Sequence, residues 1–174
     1  VKCTFFLVGS WIDDNKELVQ KIYNSGHELG NHSNTHANTT SLSEQSIIEE
    51  IEITASKIYD ITGEKTTLYR PPFGDIDSRS MDICKSLGYQ VVKWDIDSLD
   101  WKDIGPNHVI DRVIRNSTPG SIILFHANVQ DIDIYLDNIL AKLQKESFKV
   151  VPVSELIYKD NYTVDSNGVQ KIKE

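Results

Sequence analysis

Apolar residues recur along the chain in two rhythms. Largely apolar runs at 2–8 (KCTFFLV), 66–70 (TTLYR), 89–96 (YQVVKWDI), 121–126 (SIILFH) and 148–156 (FKVVPVSEL), with a short strand at 27–31 that ends on the histidine segment, predict six strands. Between them, helical spacing predicts five helices, over 15–24, from Ser43 to just before Gly63, and over 78–87, 107–117 and 132–146. Leu18, Ile22 and Tyr23 mark the apolar side of the first helix, which Gly26 closes. Ile47, Ile48, Ile51, Ile53, Ala55 and Ile58 mark that of the second. Pro71 and Pro72 forbid helix or regular ladder behind TTLYR. Strands this apolar are covered on both faces, so the alternation predicts a parallel α/β fold, either a barrel or an open sheet. Residues 1–157 read as one domain. The polar tail 158–174, with Asn161, Asp165, Asn167 and Gly168, reads as a small hairpin over the barrel end or a loose end.

Composition narrows this picture. The 174 residues suffice for one domain with a real core, and 39% hydrophobic with 25% charged residues is ordinary globular composition. A net charge of −8 with scattered Lys and Arg excludes a basic nucleic-acid footprint and makes an anionic membrane a poor partner. No run approaches the ~18 apolar residues of a membrane span. Cys3 lies in an apolar run and Cys84 in a helix, and two buried free thiols are preferred over a disulfide.

The polar residues that carry chemistry fall at or just past strand ends: His32 and His36, Arg70, Asp95 and Asp97, and His126. In parallel α/β folds that rim is where sites are assembled. In GNHSNTHAN, residues 30–38, the two histidines stand four apart. They read either as turn histidines or as two ligands of a divalent metal such as zinc, which would still need a third. HSNTH has no Glu in the general-base position of a zincin helix. His126, after SIILF, reads as a core histidine or as a general acid supported by Asp100. WDIDSLDW sets Trp94 and Trp101 around three acids, either a solvated loop or a wall for a sugar ring. Arg70 in YRPPFG reads as a structural ion pair or as a clamp on a site carboxylate, with a backbone N–H near Phe73 facing an oxyanion. Asp13 and Asp14 read as the N-cap and first-turn acid of the first helix.

Taken together, TFFLVG, GHELGNHSNTH, YRPPFG, DSLDW and LFH resemble, in order, the motifs of the polysaccharide deacetylases of the NodB-homology type, carbohydrate esterase family 4, with a flavour of spore-forming bacteria. The resemblance spans about residues 3–156 and implies a distorted (β/α)7-like barrel. It implies metal-dependent removal of N-acetyl groups from N-acetylglucosamine or N-acetylmuramic acid units of chitin, peptidoglycan or a related polymer. On this resemblance His32 and His36 bind the metal, zinc or else cobalt. His126 protonates the leaving amine, Asp100 tunes it, and Arg70 orients the catalytic base. Trp101 and Leu124 line the groove and acetate pocket, and the backbone at Phe73 helps the oxyanion. A secreted or cell-surface location follows from the substrates alone.

The family's Thr-Phe-Asp-Asp-Gly motif, source of the base and third ligand, is absent from this sequence. The expectation is therefore a barrel lacking its first strand and helix, completed by an upstream segment or a second chain. Rival readings are an acetyl xylan esterase, a non-catalytic carbohydrate-binding homologue, and a glycoside hydrolase using Asp95 and Asp97.

Overall fold

The computed structural model describes residues 1–165 and 168–173. Strand β1 (Thr4–Leu7) leads through Val8, whose carbonyl accepts the Trp11 and Ile12 N–H groups, into helix α1 (Gly9–Asp14). Asn15 breaks the helical dihedrals before α2 (Lys16–Asn24). The expected N-cap role of Asp13 and Asp14 is thereby corrected: both end α1, and Asp13 pairs with Lys57 at 2.7 Å. The buried residue of α2 is Val19, while Leu18 is exposed.

After β2 (Glu28–Asn31) comes the longest helix, α3 (Glu44–Thr62). The Ser43 hydroxyl accepts the Ser46 N–H at its start, and Gly63, at φ +74°, donates to Tyr59 O at its end. Ile47, Ile51, Thr54 and Ile58 form its buried stripe, whereas Ile53 faces solvent. Strand β3 (Leu68–Tyr69) is followed by a short 3-10 turn (Pro72–Gly74) and α4 (Ser78–Ser86), whose start is a reciprocal Asp77–Ser80 capping box.

The run 89–96 is not one strand. It divides into β4 (Gln90–Val91), paired with β3, and β5 (Ile96–Asp97), paired with β6 (Ile123–Leu124). Residues 92–95 carry the chain across, with Val92 N–H on Tyr69 O and Asp95 N–H on Ile122 O, so the run switches partners midway. Helices α5 (Pro106–Asn116) and α6 (Ile132–Lys145) cover β5 and β6 through Val109, Ile110, Val113, Tyr135, Ile139 and Leu143. The expected strand at 148–156 is absent. Pro152, which has no N–H to offer a ladder, instead precedes α7 (Val153–Leu156). Val153 N–H finds Thr4 Oγ1 at 2.8 Å.

Six parallel strands therefore stand in two arcs, β1-β2-β3-β4 and β5-β6. Among the described residues β1 pairs only with β2, so its other edge carries no strand. The tail forms an antiparallel hairpin, β7 (Tyr162–Val164) with β8 (Gln170–Ile172), while Asn167 lies outside the described residues. Cys3 and Cys84 are both free. Among the described residues no helix is long and apolar enough to cross a membrane.

Gly30 holds β2 against β1. A Cβ there would stand 2.5 Å from the Phe6 ring, which is itself packed near Leu68, Val92 and Val153. Gly30→Ala should therefore destabilise the chain by about 1–3 kcal/mol, measured by urea denaturation with unchanged m-value.

Candidate active site

The C-terminal ends of β1, β2 and β3 place the histidine loop. Asn31, fully buried at the end of β2, donates from Nδ2 to Ile51 O at 2.8 Å and accepts Ser33 N–H on Oδ1 at 3.0 Å. Ser33 and His36 take left-handed backbone conformations, at φ +64° and +59°, and Ser33 Oγ accepts His36 N–H at 3.0 Å. Glu50 on α3 receives the Asn34 and Thr35 N–H groups at 2.8 and 2.7 Å. Lys57, one turn pair further along α3, bonds Gly9 O and Asn34 Oδ1. The loop is thus folded tightly enough to bring the His32 and His36 rings edge to face, centroids 4.9 Å apart.

His32 Nδ1 lies 2.6 Å from Arg70 O. A carbonyl only accepts, so Nδ1 carries the proton and Nε2 keeps its lone pair. Burial pushes the His32 pKa down to about 4, against the opposing pull of that carbonyl, and burial also lowers the pKa of His36. Two neutral imidazoles, one with its second nitrogen anchored on a carbonyl, suit a divalent cation of the zinc type. Among the described residues no cluster of three or more His, Cys, Asp or Glu side chains could hold a metal ion.

Arg70 is 7% exposed and clamped between aromatic rings, its guanidinium 4.1 Å from the Phe6 centroid and 5.7 Å from that of Trp94. One terminal nitrogen donates to Lys93 O at 3.2 Å, but buried Nε has no hydrogen-bond partner among the described residues. An unpaired buried donor costs about 1–3 kcal/mol. Burial lowers the Arg70 pKa to about 10, which still leaves the group cationic at neutral pH. Arg70 makes no ion pair among the described residues.

Phe73, 69% exposed, sits at φ +59° in the turn after Pro72, its ring centroid 4.8 Å from that of His36. The turn's hydrogen bonds run from Gly74 and Asp75 to Pro71 and Pro72, and the Phe73 N–H takes part in neither. Trp94 is half-buried against Arg70, so of the two tryptophans it is Trp101 that offers an exposed face, with Lys102 Nζ 4.9 Å from its ring. Leu124 is buried at the end of β6, its carbonyl accepting Ser98 N–H.

Across the rim, Asp100 and His126 form a bonded pair. Asp100 Oδ1 accepts His126 Nδ1–H at 2.8 Å, and Oδ2 accepts the His126 backbone N–H at 2.8 Å. The carboxylate side chain is 0% exposed and the imidazole 40%, so the acid is sealed while the ring reaches the open side. The Asp100 bond raises the His126 pKa and outweighs burial. For Asp100 burial acts upward, but the His126 ring and backbone N–H hold its pKa below the ordinary value. Tyr135 and Ser98, neither visible as site residues from sequence, complete this pocket. Tyr135 falls on the apolar stripe of a helix, where a tyrosine carries no sign of chemistry.

The structure corrects one placement. Asp95 precedes β5 and bonds Ser121 Oγ and Ile122 N–H at the start of β6, the end opposite the rim. Asp97 ends β5 and accepts Leu99 N–H. Two carboxylates at opposite ends of one short strand cannot flank a glycosidic bond, which removes the glycoside hydrolase reading.

Linkage sets the pH window of the pair. The contribution of raised His126 is complete below its unfolded value of 6.5 and lost as pH rises through its folded pKa. That of lowered Asp100 is complete above 3.8 and lost as pH falls through its folded pKa. Stabilisation from the pair is thus greatest between those two values. Asp100→Asn should drop the His126 pKa by about 1 unit or more, because burial remains while the anion is gone. Histidine NMR titration reads this directly, and an unchanged pKa would break the assignment.

The family model for polysaccharide deacetylase matches residues 1–92. The chain is 30% identical to the peptidoglycan-N-acetylmuramic acid deacetylase PdaA of Bacillus subtilis, over 94% of this chain and 64% of that protein. It is 32% identical to the peptidoglycan-N-acetylglucosamine deacetylase PgdA of Listeria monocytogenes, over 90% of this chain and 33% of that protein. The chain thus spans roughly two thirds to one third of these relatives. Among solved structures, a family 4 carbohydrate esterase pseudoenzyme of Bacillus anthracis superposes with a TM-score of 0.86 at 33% identity, covering 90% of this chain and 55% of that one. The Bacillus subtilis PdaA structure gives 0.84 at 31% identity, covering 90% and 68%. With matching sequence, matching architecture and the histidine loop opposite the Asp100–His126 pair, this chain belongs to the polysaccharide deacetylases of carbohydrate esterase family 4.

Proposed function

We propose that this chain serves the hydrolysis of N-acetyl groups from N-acetylglucosamine or N-acetylmuramic acid units of peptidoglycan, releasing acetate, outside the cytoplasm. The observation that carries the reading is the pairing on one rim of two neutral imidazoles with a third imidazole whose pKa is raised by a sealed carboxylate. His32, through Nε2, and His36 would hold a divalent cation, zinc or cobalt. When bound, that cation would supply Lewis-acid polarisation of the acetyl oxygen and of a water.

The chain's own residues do the remaining work. His126 Nδ1 is engaged by Asp100, so Nε2 is the nitrogen that gives its proton to the leaving amine. Asp100 fixes the tautomer and stabilises the imidazolium. Trp101 offers an apolar face to a sugar ring, and Leu124 lines the acetyl end of the groove. The N–H of Phe73 donates to the developing oxyanion. Arg70 Nε, buried and unpartnered, takes a carboxylate that orients the attacking water. That carboxylate would come from an upstream segment or second chain pairing along the open edge of β1.

A non-catalytic, carbohydrate-binding role is the second reading. It is favoured by the lack of a three-ligand cluster among the described residues and by likeness to the pseudoenzyme. An O-acetyl xylan substrate is the third, since the same groups cleave esters. The test is acetate release from N-acetylated peptidoglycan and from acetyl xylan, with Zn²⁺ or Co²⁺ supplied, by the full translation product that contains this chain. Release from peptidoglycan, reduced about 10²-fold or more in His126→Ala, is the expected result. Polymer binding without acetate would establish the second reading, and preference for xylan the third. Calorimetric Zn²⁺ titration should show binding that His32→Ala or His36→Ala abolishes. Retained binding in both variants would place the cation elsewhere.

A further inference from the structure

The Asp100 carboxylate has one more donor than the His126 pair requires. Tyr135, 2% exposed on α6, directs its hydroxyl to Asp100 Oδ2 at 3.3 Å, the oxygen that also accepts the His126 backbone N–H. Its ring lies parallel to Phe125, centroids 6.3 Å apart and planes at 17°. Phe125 is the residue immediately before His126. One side chain therefore holds both members of the pair, by its hydroxyl on the acid and by its ring beside the strand end that carries the imidazole.

We propose that Tyr135 is a positioning residue that fixes the Asp100 carboxylate and limits how strongly it holds the His126 proton. This rests on the reading of His126 as the proton donor. A hydroxyl donated to Oδ2 draws negative charge away from Oδ1, where the imidazole N–H binds. A general acid held too tightly by its carboxylate would keep its proton, so a donor on the far oxygen favours release. The bond is long for O–H···O, which makes its effect a trim rather than a switch. The tie also joins α6 to the rim, since Asp100 follows β5 while Tyr135 packs with Ile96, Val109 and Val113.

Other charges face the same groups. Asp97 raises and Arg70 lowers the His126 pKa, His32 and His36 lie within electrostatic reach of its ring, and Asp131 faces Tyr135. None of these changes in Tyr135→Phe, which deletes one hydroxyl and keeps the stacked ring.

The experiment is NMR titration of the His126 ring in metal-free protein. Tyr135→Phe should raise the His126 pKa by about half a unit. Incorporation of 3-fluorotyrosine at position 135, a stronger donor of the same shape, should lower it and does not depend on the Phe variant folding. In an Asp100→Asn background, Tyr135→Phe should leave the His126 pKa unmoved. No shift in the first two proteins, a fall with Tyr135→Phe or a rise with 3-fluorotyrosine, or an equal shift in the Asn background would each overturn the proposal. Acetate release is read separately. If wild-type protein releases none while His126 titrates as described, the deacetylase reading fails and the role of Tyr135 in setting this pKa stands.

Discussion

The Arg70 N–H bond to Asn31 O, 2.9 Å long, joins the ends of β2 and β3, and the site is organised around it. It extends a parallel ladder by one step past the last regular pair, Asn31 with Tyr69. On one side of that step Asn31 binds the α3 backbone and turns the chain into the histidine loop. On the other, Arg70 turns its carbonyl to His32 and its guanidinium between Phe6 and Trp94. Because all six principal strands run in parallel, the same rim also receives Asp100 and His126 from β5 and β6.

Three histidines on that rim differ in the direction of their pKa shifts for one physical reason. His32 is buried against a carbonyl and beside cations, so desolvation dominates and the ring stays neutral. His126 is half-buried as well, but it faces a carboxylate that has no water of its own. An anion in a low-dielectric pocket stabilises an adjacent imidazolium far more than an exposed one would. The opposite shifts of these rings thus follow from which neighbours are buried with each.

Much of this was legible in the chain. Five helices and most strands lie where their spacing predicts, with Gly63 and Ser43 ending α3 as their chemistry requires. His32, His36, Arg70, Asp100 and His126 could be picked out because charged and aromatic residues followed apolar runs. The misplacements share a cause. YQVVKWDI reads as a single run although Gln90, Lys93 and Asp95 interrupt its apolar residues, and pairing with distant strands decides where it leaves β3 for β6. FKVVPVSEL has strand composition, yet its proline offers no N–H to a ladder, and among the described residues it pairs with no strand. Asp13 and Asp14 look like caps until the six-residue helix that they end is known.

By itself the sequence determined the parallel α/β alternation, the order of the motifs and the residue types at the rim, because periodicity, capping and strand-end position are local properties. Tertiary structure decided the rest, since it depends on pairs far apart in the chain. It brought Asp100 within 2.8 Å of His126 and Tyr135 onto the same carboxylate, and it sent Asp95 to the opposite end of the strands. It left Arg70 Nε buried with no hydrogen-bond partner among the described residues. Burial and partner choice set the protonation of a side chain, and neither is encoded within a few residues of it.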